Sequence, residues 1–188
     1  VQLWFIQVIE GDTSLEKFQM LAKNNHVSGS LTELATWAGV ELVRTNELIS
    51  GFIQNGHLYH WNQKALAVVV KTENNSLLLP TIKCQQKTQT PFEVADQFVT
   101  LKRKIVTQKL SANDFEGGGL LLSIIEGDGI HGFNALLPKN MSFALAICGP
   151  FFSLGKNLIS ITLTYDHQYV GGHTAADILR QFIAVLRS

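Results

Sequence analysis

The sequence predicts a single α/β domain in which several helices cover a mixed β-sheet. Its 188 residues are 46% hydrophobic, which is sufficient for one domain with a substantial core. Segments rich in β-branched and aromatic residues alternate with segments whose apolar residues recur at helical spacing. Because no internal repeat, low-complexity tract or linker interrupts this order, we expect one domain over residues 1–188.

The first part of the chain alternates between one strand and two helices. Residues 1–9 combine β-branched and aromatic side chains, which predicts a strand. Apolar residues recur at helical spacing from Leu15 to Ala22, which predicts a first helix. Ser30 is a suitable N-cap for a second helix, whose broad apolar face extends from Leu31 to Val43.

Strands resume beyond the polar turn at residues 54–57, and a long helix follows them. The continuous apolar runs 65–70 and 76–82 are typical of strands buried on both faces. Pro91 begins a helix that we expect to extend to Leu110. The remaining elements are predicted as three strands and a closing helix, at residues 120–125, 142–147, 158–165 and 174–186.

Charge and cysteine content exclude several classes of protein. Fifteen Lys and Arg balance fifteen Asp and Glu, so no basic excess is available for binding nucleic acid. Cys84 and Cys148 lie in apolar segments without CxxC spacing, which predicts buried free thiols. No apolar run reaches the roughly 18 residues of a membrane span. We therefore expect no membrane partner. The free thiols favour a reducing compartment, and we expect the cytoplasm or the mitochondrial matrix.

Two weaker signals leave alternatives open. His57 and His60 flank the turn at strand spacing and could bind a metal, but surface histidines explain them adequately, and we expect no metal site. The basic run at residues 102–104 could contact a phosphate, although basic residues late in a helix also favour the helix dipole. The first residues have strand character from the outset, which suggests a trimmed piece of a longer polypeptide.

His167 is the first candidate for catalysis. It follows the strand sequence ThrLeuThrTyrAsp and precedes the turn ValGlyGly. A histidine at the end of a strand beside glycines can be held rigidly and still meet solvent, as general base catalysis requires. The alternative is a hydrogen-bonded histidine that only braces the turn.

Ser123 is the second candidate. It interrupts the apolar strand 120–125, just after three glycines at 117–119. A buried hydroxyl needs a partner, which is either a backbone carbonyl or, in an active site, a developing oxyanion. The GxSxG pattern of hydrolases is absent, so we do not expect Ser123 to be a nucleophile.

The segment TLTYDHQYVGGHTAADIL, at residues 162–179, resembles the C-terminal motif of a known family. The family comprises the dihydrolipoyl acyltransferase components of 2-oxo acid dehydrogenase complexes. Its members show a strand, AspHisArg, two apolar residues, AspGly and an alanine-rich helix. Further segments resemble the family in the same order along the chain, at residues 76–82, 113–123 and 132–138.

The resemblance implies a fold, a reaction and a set of partners. The fold would be a two-layer α/β sandwich similar to chloramphenicol acetyltransferase, assembled as a homotrimer or a larger multienzyme core. His167 would be the general base that deprotonates the thiol of coenzyme A or dihydrolipoamide. Ser123, from a different subunit, would stabilise the tetrahedral oxyanion. Coenzyme A would be a substrate, the lipoyl group would be carried on a separate domain, and other dehydrogenase-complex subunits would be partners.

The chain departs from the family at several positions, and three of them lie at or beside the candidate site residues. Gly171 stands where the family has the Asp that braces the histidine turn, Gln168 replaces the Arg, and Ile124 replaces the Asn after the oxyanion hydroxyl. Two hypotheses follow from these changes. Either the chain is a working acyltransferase, or it is a catalytically impaired or inactive relative with a structural role in assembling the core.

Overall fold

The computed structural model describes residues 1–23, 28–127 and 129–188. The strands are β1 (Gln2–Glu10), β2 (Gly51–Gln54), β3 (His57–His60), β4 (Lys64–Val68), β5 (Val70–Lys71), β6 (Leu77–Leu78), β7 (Thr81–Lys83), β8 (Gly118–Ile125), β9 (Phe143–Ser153) and β10 (Lys156–Asp166). The helices are α1 (Asp12–Lys23), α2 (Leu31–Thr45), α3 (Pro91–Val106) and α4 (Gly172–Leu186).

Six of these strands form one mixed sheet, in the order β1-β10-β9-β8-β4-β7. β8 is parallel to both of its neighbours, β4 and β9, whereas the other pairs in this sheet are antiparallel. β1 lies at one edge of the sheet and pairs along its whole length with β10. The predicted mixed sheet is therefore confirmed.

The main core lies between this sheet and the helices. Alternate strand residues such as Leu122, Leu145 and Leu163 pack with helix residues such as Leu34 and Phe182. We call this side of the sheet the helix-covered face. The opposite side, the second face, carries alanines on β4 and β9, and the chain between β8 and β9 covers part of it. A helical layer on one side of a sheet is the predicted two-layer α/β sandwich.

Local capping explains where two helices begin. The Ser30 hydroxyl accepts a hydrogen bond from the Glu33 amide at 3.2 Å, and the Glu33 carboxylate accepts one from the Ser30 amide, so the predicted cap of α2 is confirmed. α3 begins with Pro91, as predicted, but ends at Val106 rather than Leu110. Gln108 has a φ of 54°, a left-handed conformation that ends the helix.

The apolar runs 65–70 and 76–82 each divide into two short strands, which differs from the prediction. β4 and β7 belong to the main sheet, whereas β5 and β6 pair with each other outside it. Pro80 lies between β6 and β7 and has no N–H for a strand ladder. Because Leu77 in β6 is 64% exposed, the prediction of burial on both faces is wrong for this part of the chain.

Candidate functional site

His167 lies on a turn directly after β10, at the edge of the sheet where β1 begins. Its backbone amide donates to the Val1 carbonyl at 2.9 Å, and its ring lies 6.0 Å from the ring of Tyr165. The side chain is exposed, and its imidazole forms no hydrogen bond within the described residues. Both ring nitrogens are therefore available to an incoming ligand, as a general base requires.

Backbone hydrogen bonds shape the turn after His167. The amides of Tyr169 and Val170 both donate to the Asp166 carbonyl, at 3.0 and 3.1 Å. The Gln168 amide donates to the Asp166 carboxylate at 3.0 Å. The turn then leads directly into α4, so its conformation depends on how the end of β10 joins the start of that helix.

Gly171 is the N-cap of α4 and supplies no side-chain acceptor to the helix. Its φ of −78° is one that any residue can adopt, and an added Cβ would have no neighbour within 4 Å. The backbone and the surrounding space therefore accommodate a larger residue. What Gly171 removes from the family motif is a carboxylate, at a position where a carboxylate would also cap a helix.

Ser123 lies near the end of β8, where Leu120 and Leu122 point to the helix-covered face and Leu121 to the second face. Since side chains alternate along a strand, Ser123 points to the second face. The side chain is half-buried, and its hydroxyl has no hydrogen-bond partner in the described part of the chain. The hydroxyl is therefore free to donate to a bound group.

His167 and Ser123 do not meet within one chain. The register pairs Ser123 with Ala146 of β9, and Ala146 with Thr162 of β10. His167 lies five residues beyond Thr162, so the two candidates are two strands apart and five residues apart along the strand direction. Strand geometry then separates them by about 20 Å. A single chain cannot place both groups on one reacting carbonyl.

Tyr169 is a site residue that the sequence analysis did not single out. Its hydroxyl donates to the Leu48 carbonyl at 3.0 Å, and its ring packs edge-on against Phe143. The family motif has two apolar residues after AspHisArg, and Tyr169 occupies the first of these two positions. A tyrosine at this apolar position is the one feature of the sequence that could have drawn attention to it. Its partner lies 121 residues earlier in the chain, so no local pattern predicts the contact.

The two cysteines are free thiols. Cys148 is 1% exposed, as predicted, whereas Cys84 is half-buried and contacts the Val40 carbonyl. Burial, and then the nearby carboxylate of Glu41, raise the pKa of Cys84 to about 12. Burial also raises the pKa of Cys148. Both thiols are therefore protonated at neutral pH and poorly suited to nucleophilic chemistry.

The weaker sequence signals lie on the surface. His57 and His60 are exposed on β3, and no three His, Cys, Asp or Glu side chains within residues 1–23, 28–127 and 129–188 are grouped closely enough to hold a metal ion. Lys104 pairs with Asp114 at 2.6 Å, and Lys102 lies over the Phe98 ring, which favours a structural role for the basic run. Among the described helices, none has both the length and the apolar character needed to cross a membrane.

β1 carries an exposed apolar row on the second face. Trp4, Ile6 and Val8 are 54%, 49% and 49% exposed, while the alternating residues Phe5 and Ile9 pack into the main core. Ile6 pairs with Thr162 and therefore lies in the same cross-strand row as Ser123. Large apolar side chains in such a row are typical of an interface with another protein chain.

Comparison with known proteins identifies one family. Residues 12–188 match the family model for the catalytic domain of 2-oxoacid dehydrogenase acyltransferases. The dihydrolipoyllysine-residue acetyltransferase component of the pyruvate dehydrogenase complex from Rickettsia prowazekii is 27% identical over 131 residues, covering 65% of this chain and 32% of that protein. The chain thus spans about a third of the length of this relative.

Solved structures share the fold. The cubic core of a pyruvate dehydrogenase multienzyme complex aligns over 100% of this chain and 82% of its own, with a TM-score of 0.81 and 20% identity. The dihydrolipoamide acetyltransferase of Azotobacter vinelandii, studied for a serine, a histidine and an asparagine in its catalytic mechanism, gives a TM-score of 0.82, 19% identity and coverage of 100% and 82%. A chloramphenicol acetyltransferase gives 0.63, 14% identity and coverage of 98% and 88%.

These comparisons agree with the architecture and confirm the predicted resemblance to chloramphenicol acetyltransferase in fold. The match to the family model extends from α1 through α4 and includes both His167 and Ser123. The chain therefore belongs to the family of 2-oxoacid dehydrogenase acyltransferase catalytic domains.

Proposed function

We propose that this chain transfers an acyl group between the thiols of coenzyme A and dihydrolipoamide. The observation that carries the proposal is His167, an exposed imidazole without a hydrogen-bond partner in the described chain, held on a backbone-bonded turn at the end of β10. A general base needs this combination of fixed position and access to the incoming thiol. The Azotobacter vinelandii enzyme, in whose mechanism a serine and a histidine were studied, supports the same assignment.

His167 performs the proton transfers in this proposal. Its imidazole takes the proton from the attacking thiol, and the thiolate sulfur bonds to the carbonyl carbon of the acyl thioester. The carbon–sulfur bond to the departing thiolate then breaks, and that thiolate receives the proton from the imidazolium. The base is regenerated, and one thioester has been exchanged for another.

Ser123 stabilises the intermediate of this exchange. When the thiolate adds, the carbonyl oxygen becomes an oxyanion, which accepts a hydrogen bond from the Ser123 hydroxyl. That hydroxyl is half-buried and has no competing partner in the part of the chain that is described, so it can donate without first breaking another bond. One hydrogen-bond donor to an oxyanion is worth about 10²–10³-fold in rate.

The site is completed by a second copy of the chain. About 20 Å separates His167 from Ser123 within one chain, so the histidine of one copy acts with the serine of another. The exposed row Trp4, Ile6 and Val8 lies on the same face of the sheet as Ser123 and supplies an apolar surface for this contact. We infer a homotrimer, in agreement with the zero net charge and apolar composition of the chain.

The partners of such a trimer follow from the reaction. Dihydrolipoamide is presented by a lipoyl group on a separate domain, and the trimer is a building block of a multienzyme core with dehydrogenase subunits. The structural similarity to a cubic pyruvate dehydrogenase core supports this assembly.

Acyl exchange tests the proposed function. Dihydrolipoamide is incubated with acetyl-, succinyl- or isobutyryl-coenzyme A, and thioester formation is measured for wild type and His167→Ala. We expect a rate that falls by roughly 10²–10⁴-fold in His167→Ala. His57→Ala, which removes another exposed histidine, is the control and should retain the wild-type rate. Equal rates for wild type and His167→Ala in a folded oligomer would contradict the proposal.

A second candidate function is favoured by Gly171. Without the carboxylate of the family motif, the chain could serve as an inactive structural subunit of a multienzyme core. The same acyl exchange assay distinguishes the two functions. A structural subunit would assemble normally, and its rate of acyl exchange would be no higher than that of His167→Ala.

A further inference from the structure

The phenol of Tyr169 links the His167 turn to a distant part of the chain. Its hydroxyl donates to the Leu48 carbonyl at 3.0 Å, and Leu48 lies within the short 3₁₀ turn Glu47–Ser50 that follows α2. The same carbonyl also accepts the amide of Gly51. The acceptor is therefore held by the backbone of the 3₁₀ turn, so the tyrosine binds to a fixed point.

The surroundings of the Tyr169 phenol leave room for its hydroxyl group. A Cβ on Gly51 would lie 2.0 Å from the Tyr169 hydroxyl oxygen, so the absence of a side chain there creates the space that the hydroxyl occupies. The ring also packs edge-on against Phe143, the first residue of β9. Burial raises the pKa of the Tyr169 phenol, which keeps the hydroxyl protonated and able to donate at neutral pH.

Val170 holds this turn by packing into the main core, but few other side chains in the turn contribute. Gly171 contributes none, and the imidazole of His167 has no hydrogen-bond partner in the described chain. Across the described structure, Tyr169 provides the only side-chain hydrogen bond from residues 167–171 to another element. The backbone bonds to Asp166 fix the shape of the turn, whereas the tyrosine fixes its position relative to the helical layer.

We propose that Tyr169 is a positioning residue for His167, which holds the turn against Leu48 and thereby takes over the bracing that Gly171 cannot supply. This inference rests on the proposed acyl transfer, since positioning has a catalytic consequence only if His167 is the base. A base displaced by a fraction of an ångström from the thiol loses rate without losing substrate binding.

Tyr169→Phe is the direct test, with Tyr59→Phe as the matched control on the exposed strand β3. We expect kcat to fall roughly five- to tenfold in Tyr169→Phe, the equivalent of one hydrogen bond. The KM for acyl-coenzyme A should stay unchanged, because the phenol contacts the turn and not the substrate. Gly51→Ala, which displaces the phenol from the opposite side, should lower kcat in the same way. An unchanged kcat in Tyr169→Phe would overturn the inference. A variant that melts at a lower temperature but keeps the wild-type kcat would overturn it as well.

Hydrogen exchange separates failure of this inference from failure of the proposed function. The amides of Tyr169 and Val170 should exchange faster in Tyr169→Phe than in wild type or Tyr59→Phe. If wild type and His167→Ala are equally inactive, the proposed function fails. Faster hydrogen exchange in Tyr169→Phe would still show that the hydrogen bond to Leu48 holds the turn. Unchanged hydrogen exchange in Tyr169→Phe would show that this hydrogen bond does not hold the turn.

Discussion

Gly171 stands where the family motif has an Asp, and this replacement has two separate effects. At the N-cap of α4 it leaves the first turn of the helix without a side-chain acceptor. In the turn it also removes a carboxylate four residues after His167.

Gly171→Asp should stabilise the fold. An Asp at an N-cap is better than Gly by a few tenths of a kcal/mol, whereas Ala is worse than either, because only Asp accepts a hydrogen bond from the helix. The space around Gly171 is open, so neither substitution meets a steric clash. Urea denaturation should therefore rank the free energies of unfolding as Asp above Gly above Ala. An Asp variant no more stable than the Ala variant would contradict the capping role.

The same substitution should raise the rate of acyl transfer. A carboxylate at position 171 would restore a second brace for the turn that carries His167, and bracing groups of a general base strongly affect its rate. We expect kcat of Gly171→Asp to exceed that of wild type in the acyl exchange assay, and Gly171→Ala to show no gain. A stabilised Asp variant without faster turnover would indicate that the pocket around His167 has itself changed.

At the scale of elements, an ion pair near the C-terminal end of α3 joins this helix to the 3₁₀ turn Ala112–Phe115, which precedes β8. Lys104 contacts Asp114 at 2.6 Å, and Asp114 is 8% exposed. The hydrogen bond from Lys104, followed by that from the Ser111 amide, lowers the pKa of Asp114 to about 2. The ionised carboxylate is thus stabilised in the folded chain.

Asp114→Asn should destabilise the protein in a pH-dependent way. Because the folded pKa lies below the ordinary value near 4, the stabilisation is fully present above pH 4 and is lost as pH falls towards 2. We expect Asn to lower the free energy of unfolding at pH 7 by about 1–2 kcal/mol, a figure reduced because the lysine is partly exposed. Denaturant titrations at several pH values should show that the difference in free energy of unfolding between wild type and Asp114→Asn becomes smaller below pH 4.

Asp177→Asn is the control for this experiment. Asp177 also pairs with a basic residue, Arg180, but both side chains are more than half exposed, so the expected loss is below about 0.5 kcal/mol at every pH. If Asp114→Asn and Asp177→Asn lower the free energy of unfolding equally, the burial of Asp114 does not strengthen its ion pair.

For the whole molecule, the proposed site shared between subunits predicts that assembly depends on the exposed row on β1. Ile6→Glu places a charge in that row without disturbing the main core, because Ile6 points to the second face. We expect wild type to sediment as three chains or a multiple of three, and Ile6→Glu to sediment as a folded monomer without acyl transfer activity. Met20→Glu, which changes an equally apolar side chain on α1 that is 71% exposed, should remain assembled. A wild-type monomer would contradict the shared site.

Much of the fold followed from local chemistry. Ser30 with Glu33, and Pro91 at the first position of α3, identify helix starts through groups no more than three residues apart. The family motif around His167 identified the candidate base for the same reason, since its strand, turn and helix are contiguous. The end of α3 was less predictable, because the left-handed Gln108 is not a residue type that marks a helix end.

The sequence by itself determined the α/β class, the helix starts, the mixed sheet and the two candidate site residues, because these depend on composition, periodicity and short motifs. Only the tertiary structure decided that β5 and β6 leave the main sheet and that Tyr169 meets Leu48 across 121 residues. It also decided that Ser123 and His167 lie about 20 Å apart within one chain, because β8 and β10 run in opposite directions. Such contacts depend on strand order and register, which are set by the packing of the whole chain rather than by any one segment.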